Sequence, residues 1–223
     1  HTTVAEHTFA LLLALFRKIV TEANHVASGE WVRITGNEIM GKTLAIIGLG
    51  RIGKEVAVRA HAFGMKLVGF DLYWDKEFAQ KYEIVRSESA EAAMIQADIV
   101  SLHTNLSNET RNMINQSSIA KMKKGVVVLN CARGEIVNTN DMVDALHAGS
   151  VGGYGTDVLN VEPPPKDHPL LKAPNTVITP HIGSRTYESV ERQATMAAKN
   201  LILALEGKKP LALANDVPLI SHR

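Results

Sequence analysis

Short runs of apolar, largely β-branched residues recur along the middle of the chain, and longer amphipathic stretches separate them. Thr43–Gly48 (TLAIIG), Lys66–Asp71 (KLVGFD), Asp98–His103 (DIVSLH), Val126–Asn130 (VVVLN), Val151–Val158 (VGGYGTDV) and Thr176–Thr179 (TVIT) read as strands, with Glu83–Arg86 as a short addition. Ile52–Phe63, Ser89–Ala97 and Asn138–Ala148 read as helices, the first and last closed by Gly64 and Gly149. Continuous apolar runs predict strands buried on both faces. Their alternation with helices predicts βαβ units and an α/β fold: a doubly wound parallel sheet of Rossmann type.

The two ends of the pattern differ from the middle. Phe9–Phe16 is apolar on every face of a helix, so it must be covered on more than one side, by its own domain and by a second lobe or subunit. Thr3-Val4-Ala5-Glu6 has capping-box spacing and predicts that this helix starts at Val4. A linker with Gly29, Gly36 and Gly41 follows, from Ser28 to Gly41. Thr186–Glu206 reads as a long amphipathic helix stopped by Gly207 and Pro210.

Charge and cysteine content narrow the classes. Lys and Arg number 24 against 23 Asp and Glu, a formal net charge of +1. That balance argues against a nucleic-acid or anionic-membrane partner. Lys121, Lys123 and Lys124 read as the solvated end of a helix. Phe9–Phe16 is too short to span a bilayer and lacks the flanks of a signal peptide. One cysteine, Cys131, allows no intrachain disulfide and fits a cytoplasmic location. No metal site is expected.

Gly48-Leu49-Gly50-Arg51-Ile52-Gly53 directly follows a predicted strand and opens a helix. In that context Gly48 serves a tight turn. Gly50 lets backbone approach a pyrophosphate, Gly53 lets helix and strand pack closely, and the helix N-terminus faces the phosphates. Asp71 ends the next strand, where a carboxylate accepts hydrogen bonds from the ribose hydroxyls of NAD and repels the 2′-phosphate of NADP. Leu72 and Tyr73 offer no cation to reverse that preference. The expected cofactor is NAD.

Three further stretches place reactive side chains just past strand ends. Arg133 lies in NCARGEIV, Asp157 and Glu162 in DVLNVEP, and His181 in TPHIGS. In open parallel sheets ligands bind at the carboxyl ends of the strands, the same edge as the glycine loop. An arginine there can hold a carboxylate bidentately, and a histidine can pass a proton to a carbonyl oxygen. A carboxylate beside the histidine favours the imidazolium and fixes the ring. The set suits hydride transfer to a 2-keto acid.

GLGRIGKEVAVRAHAFGMK, NCARGEIV, DVLNVEP and TPHIGS, in this order, resemble the D-isomer-specific 2-hydroxyacid dehydrogenases, and within them the phosphoglycerate dehydrogenase branch. The resemblance implies that Arg133 binds substrate, His181 is the acid/base and Glu162 its partner. Asp157 would hold the nicotinamide carboxamide. Arg51 and Ile52 would lie along the pyrophosphate, and Thr104, Cys131 and Ala132 along the cofactor cleft. Asn105 stands where the family usually has proline. Cys131 is expected to pack against the cleft and not to act as a nucleophile. The substrate class implied is a small carboxylate of the phosphoglycerate, glycerate or hydroxypyruvate type. A non-catalytic NAD-sensing module of the corepressor type is the alternative, because it shares the fold and the Arg/Glu/His set. Formate and phosphite dehydrogenases form a third possibility, but the extra substrate-site residues they need find no match.

The same resemblance implies a domain plan. Residues 1–185 would form the dinucleotide-binding domain, including an N-terminal crossover helix (about 4–28). Residues 186–223 would form a return helix and the remnant of a substrate domain whose larger part is missing, so that the chain starts at the interdomain hinge. The first helix would also contribute to a homodimer interface.

Overall fold

The computed structural model describes residues 1–213. Two compact units are present, His1–Gly183 and a second that begins at Ser184. The first is built on seven parallel strands: β1 (Thr43–Ile47), β2 (Lys66–Phe70), β3 (Ile84–Arg86), β4 (Ile99–Leu102), β5 (Val126–Asn130), β6 (Val151–Thr156) and β7 (Thr176–Ile178). Their spatial order is β3-β2-β1-β4-β5-β6-β7. The order reverses between β1 and β4, which creates the crevice that doubly wound sheets use for ligands.

Strand side chains alternate between two apolar layers. Ala45, Ile47, Val100, Leu102, Val126 and Val128 face one layer, with α5 (Ala90–Met94), α6 (Gln116–Ile119) and α7 (Thr139–Ala148). Leu44, Ile46, Ile99, Val127 and Leu129 face the other, with α1 (Thr2–Phe16), α3 (Arg51–Ala62) and α4 (Lys76–Lys81). A strand covered on both faces needs apolar residues at every position, which is why these runs show no polar alternation.

The first helix departs from its sequence reading in three ways. It begins at Thr2 with His1 before it, and no side chain caps it. Thr3 is buried inside the first turn, and Glu6 instead pairs with Arg59 of α3 at 3.2 Å, so the expected capping box does not form. The predicted crossover is also not one helix. Lys18 takes a left-handed conformation (φ 55°) and breaks it, and a separate α2 (Ile19–Ala27) follows. Finally, Phe9, Leu11, Leu12, Leu15 and Phe16 are buried against this chain's own α3, β5, β6 and β7, and only Ala10 on the stretch Phe9–Phe16 is exposed. The uncovered apolar face implied by the sequence is therefore small.

Glycines in β6 explain that cover. A Cβ at Gly155 would lie 3.1 Å from Leu15 Cδ1 and 3.2 Å from Leu11 Cβ, so the bare strand lets α1 settle directly on the sheet. The short helices α4 and α6 escape the periodicity reading because each is little more than a turn. Both are held by caps: Asp75 accepts from Phe78 N, and Asn115 forms a reciprocal pair with Ser118. Of the three clustered lysines, Lys121 pairs with Glu91 and Lys123 with Asp98. In the second unit α8 (Tyr187–Leu205) is capped by Thr186 and closed by Gly207 at φ 70°.

Candidate functional site

The β1–α3 turn is shaped by close backbone approach. Gly48 has φ 98°, and a Cβ there would meet the His103 carbonyl oxygen at 2.7 Å. A Cβ at Gly53 would meet the Gly48 carbonyl oxygen at 1.9 Å, so only glycine lets α3 start this near β1. Gly50, the N-cap of α3, faces open space and offers no side-chain cap, which leaves the first amide N–H groups of the helix available.

A cleft of about 1320 Å³ opens in front of this turn. Gly48, Gly50, Arg51, Ile52, Asp71 and Thr104 line it. Asp71 Oδ2 accepts from Leu49 N at 2.6 Å and Oδ1 from Tyr73 N at 2.7 Å. The carboxylate is thereby fixed against the glycine turn, with acceptor capacity left on both oxygens. Leu72 and Tyr73 project into solvent. Thr104 Oγ1 and His103 Nδ1 are buried without a hydrogen-bond partner among the described residues. Burial pushes His103 down to about 4, so its ring is neutral at physiological pH. An open helix N-terminus, an anchored carboxylate and an unpartnered hydroxyl in one cleft fit a dinucleotide. Asn105 shares this rim, and its carbonyl accepts from Thr110 Oγ1 at 2.8 Å.

The other candidate residues gather past β5, β6 and β7. Asn130 at the end of β5 turns its side chain back, donating to Arg133 O at 2.9 Å and accepting from Ala132 N at 3.0 Å. Gly134 packs so closely on the next loop that a Cβ would overlap the Leu159 carbonyl carbon at 2.0 Å. Leu159 N donates to Glu162 Oε1 at 2.9 Å, and Glu162 Oε2 lies 2.7 Å from His181 Nδ1. Glu162 and His181 are thus joined directly, and Arg133 is linked to them through the backbone packing of Gly134 on Leu159, with no hydrogen bond from its guanidinium to either side chain. Arg133 Nη1 donates to Ala132 O at 2.6 Å, and the rest of the group is exposed. His181 is half-exposed and sits at φ 54°, a left-handed conformation held by N–H donation to Asp157 O and Thr179 O.

Asp157 occupies a different position in this architecture from its neighbours. Its carboxylate is buried and accepts from Thr179 Oγ1 at 2.6 Å, Ile182 N at 2.9 Å and Gly183 N at 2.7 Å. His7 of α1 completes the group, with Nε2 at 2.8 Å from Thr179 Oγ1 and 3.4 Å from Asp157 Oδ1. Sequence reasoning missed His7, which sits among Thr3, Glu6 and Thr8 in the polar first half of α1 with nothing local to single it out. Burial opposes ionisation of Asp157, but the hydrogen bonds from His7, Thr179, Ile182 and Gly183 outweigh it and bring the carboxyl down to about 2. Cys131 is the opposite case. Burial pushes its thiol up to about 12, so it is not poised as a nucleophile.

Comparison with known proteins follows the same outline. The family described as D-isomer specific 2-hydroxyacid dehydrogenase, NAD binding domain, matches residues 9–183. A D-3-phosphoglycerate dehydrogenase of Bacillus subtilis is 41% identical over 221 residues, covering 98% of this chain and 42% of its own length. A glyoxylate reductase of Thermofilum pendens is 40% identical over 220 residues, covering 95% of this chain and 64% of its own. The chain therefore spans between 42% and 64% of the length of these curated relatives. Among solved structures, the TT0316 protein of Thermus thermophilus superposes with a TM-score of 0.89 at 40% identity, over 96% of this chain and 68% of that one.

The depressed Asp157 carboxyl makes a pH prediction. Its ionised form is the stabilised one, so its contribution is complete above the ordinary carboxyl value of 3.8 and is lost as pH falls through about 2. Asp157→Asn is expected to lower unfolding stability at neutral pH by on the order of 2 kcal/mol. The difference from the parent should shrink between roughly pH 4 and pH 2. Urea unfolding at a series of pH values checks this, and a pH-independent difference would contradict it.

Proposed function

Because the chain belongs to the D-isomer specific 2-hydroxyacid dehydrogenases and carries their NAD-binding domain, we propose that it serves the interconversion of a small D-2-hydroxy acid and its 2-keto acid. The substrate class is a carboxylate of the phosphoglycerate, glycerate, hydroxypyruvate or glyoxylate type. The observation that carries this reading is the 2.7 Å pair between His181 Nδ1 and Glu162 Oε2, set at the strand edge that also bears the glycine turn.

In this reading the Gly48–Gly53 turn, Asp71, Thr104 and the walls around Cys131 and Ala132 would hold the dinucleotide, whose reduced form would supply a hydride in reduction and whose oxidised form would take one in oxidation. Glu162 engages Nδ1 of His181 and leaves Nε2 for the substrate oxygen. In reduction His181 donates a proton from Nε2 to the carbonyl oxygen, and in oxidation it accepts that proton back. The exposed guanidinium of Arg133 receives the substrate carboxylate. Asp157 supports the turn that presents His181, and its remaining acceptor capacity is what it can offer a carboxamide.

The same reading includes a homodimer in the cytoplasm. No residue of α2 is buried, and Ile19, Val20 and Val26 on it are exposed beside Trp31, Val32 and Ile34 of the following segment. An apolar surface of this extent suits a second copy of the chain related by twofold symmetry. Among the described residues no helix is long and apolar enough to cross a membrane.

Three outcomes test the proposal. With NADH and a panel of 2-keto acids, His181→Ala is expected to lower kcat by about 10²–10⁴. Arg133→Ala should raise KM for the keto acid while NAD affinity, measured by calorimetry, stays within a factor of two or so. Near-normal turnover of His181→Ala would remove it as proton donor. Second, the parent should bind NAD far more tightly than NADP, and Asp71→Ser combined with Leu72→Arg should narrow the gap. Equal affinity of the parent for both would contradict the role of Asp71. Third, light scattering should give a dimer that Val26→Asp with Trp31→Asp converts to a monomer. A monomeric parent would overturn the assembly.

A further inference from the structure

A second hollow lies on the opposite edge of the sheet, where the strands begin, away from the glycine turn and the His181 cluster. It is an open hollow of about 290 Å³, just below the range for small-molecule sites, roughly 300–1,000 Å³. It shares no lining residue with the dinucleotide cleft.

Its shape comes from the backbone. Gly125 turns into β5 at φ 80°. The β5–β6 pairing then slips: Val126 pairs with Val151 but Val127 with Gly153, which leaves Gly152 as an extra residue on β6. A Cβ at Gly152 would lie 2.5 Å from the Gly125 carbonyl oxygen, so the bulge tolerates only glycine without rearrangement. The end of α1, through Leu15 and Phe16, forms an apolar wall across from this bulge.

The charge of the lining is one-sided. Lys18, Lys42, Lys123 and Lys124 border the hollow, against a single carboxylate, Asp98. Asp98 is already satisfied: Oδ1 receives Lys123 Nζ at 2.8 Å and Oδ2 receives Thr43 N at 2.8 Å. Lys18 Nζ is held by Asn175 Oδ1 at 3.1 Å, a neutral partner that leaves its charge uncompensated. Lys42 and Lys124 have no hydrogen-bonded acceptor among the described residues, and Lys42 is only half-exposed. A concave site with cations on its rim and low-dielectric walls concentrates potential of one sign. The hollow contrasts with a chain whose formal charge is only +1.

We propose that this hollow is a binding site for a small organic oxyanion, a carboxylate or phosphate on a short carbon skeleton, distinct from the dinucleotide cleft. Lys42 and Lys124 contact the anionic group, Lys18 adds its charge, and Leu15, Phe16 and Val127 take the carbon portion. The volume excludes a nucleotide or a polymer and admits a metabolite of a few carbons.

Inorganic phosphate and succinate serve as probes in NAD-saturated protein, so that the glycine turn is already occupied. Backbone amide shifts are followed by NMR. The expected result is saturable change centred on Gly125, Gly152 and Gly153 with at least one probe, weakened at least tenfold in Lys42→Ala/Lys124→Ala. NAD affinity of that variant should match the parent, which shows that the fold and the first cleft are intact. A phosphate response without a succinate response assigns the head group, and the reverse assigns a carboxylate. No saturable shift with either probe, shifts confined to the glycine turn, or equal affinity in the double variant would each overturn the site.

Discussion

One buried carboxylate holds the working edge of this protein together. Asp157 leaves the end of β6 and gathers the Thr179 hydroxyl, the Ile182 and Gly183 amides and the His7 ring. Its own carbonyl also receives the amide of His181. A buried charge is tolerated only when it is well hydrogen-bonded, and here the donors come from the turn beyond β7 and from α1. The left-handed backbone of His181, costly for a residue with a Cβ, is therefore imposed by its surroundings. The result is a histidine presented toward solvent from a rigid base.

The rest of the edge follows the same economy of short links. Asn130, buried at the end of β5, folds its amide back on the Ala132–Arg133 backbone, and Gly134 then presses against Leu159. Leu159 in turn donates to Glu162. The Asn130 and Glu162 hydrogen bonds are local in sequence, and the close approach of Gly134 to Leu159 joins the two loops they organise. Parallel strands make this possible, since all their carboxyl ends point one way and every loop beyond them meets the same cleft.

Glycine has two separate uses in this sheet. At Gly48 and Gly53 it permits a helix to begin almost in contact with the strand before it, which opens the helix N-terminus to a ligand. At Gly153 and Gly155 it strips β6, the strand next to one edge, of side chains so that Leu11 and Leu15 of α1 can fill the space. The first use builds a site, and the second lets a helix that carries His7 lie where that ring reaches Thr179.

The succession of strands and of the longer helices between them was legible in the residues because every buried strand of a parallel sheet must be apolar on both faces, and that pattern is local. The glycine turn and Asp71 were equally legible, since their chemistry is written in consecutive residues and one strand end. Arg133, Glu162 and His181 could be named and assigned to one sheet edge from their places after strands, but the anchoring of Glu162 by Leu159 N and its choice of Nδ1 on His181 could not be read. Thr3 and Glu6 show the limit from the other side: a correct capping spacing lost to Arg59, a partner far away in sequence. Lys18, His7 and the bulge at Gly152 carry no local signature either. What the sequence determined was whatever one strand or one turn decides alone. The tertiary structure decided which distant groups share a buried charge, because that depends on how several elements pack around it.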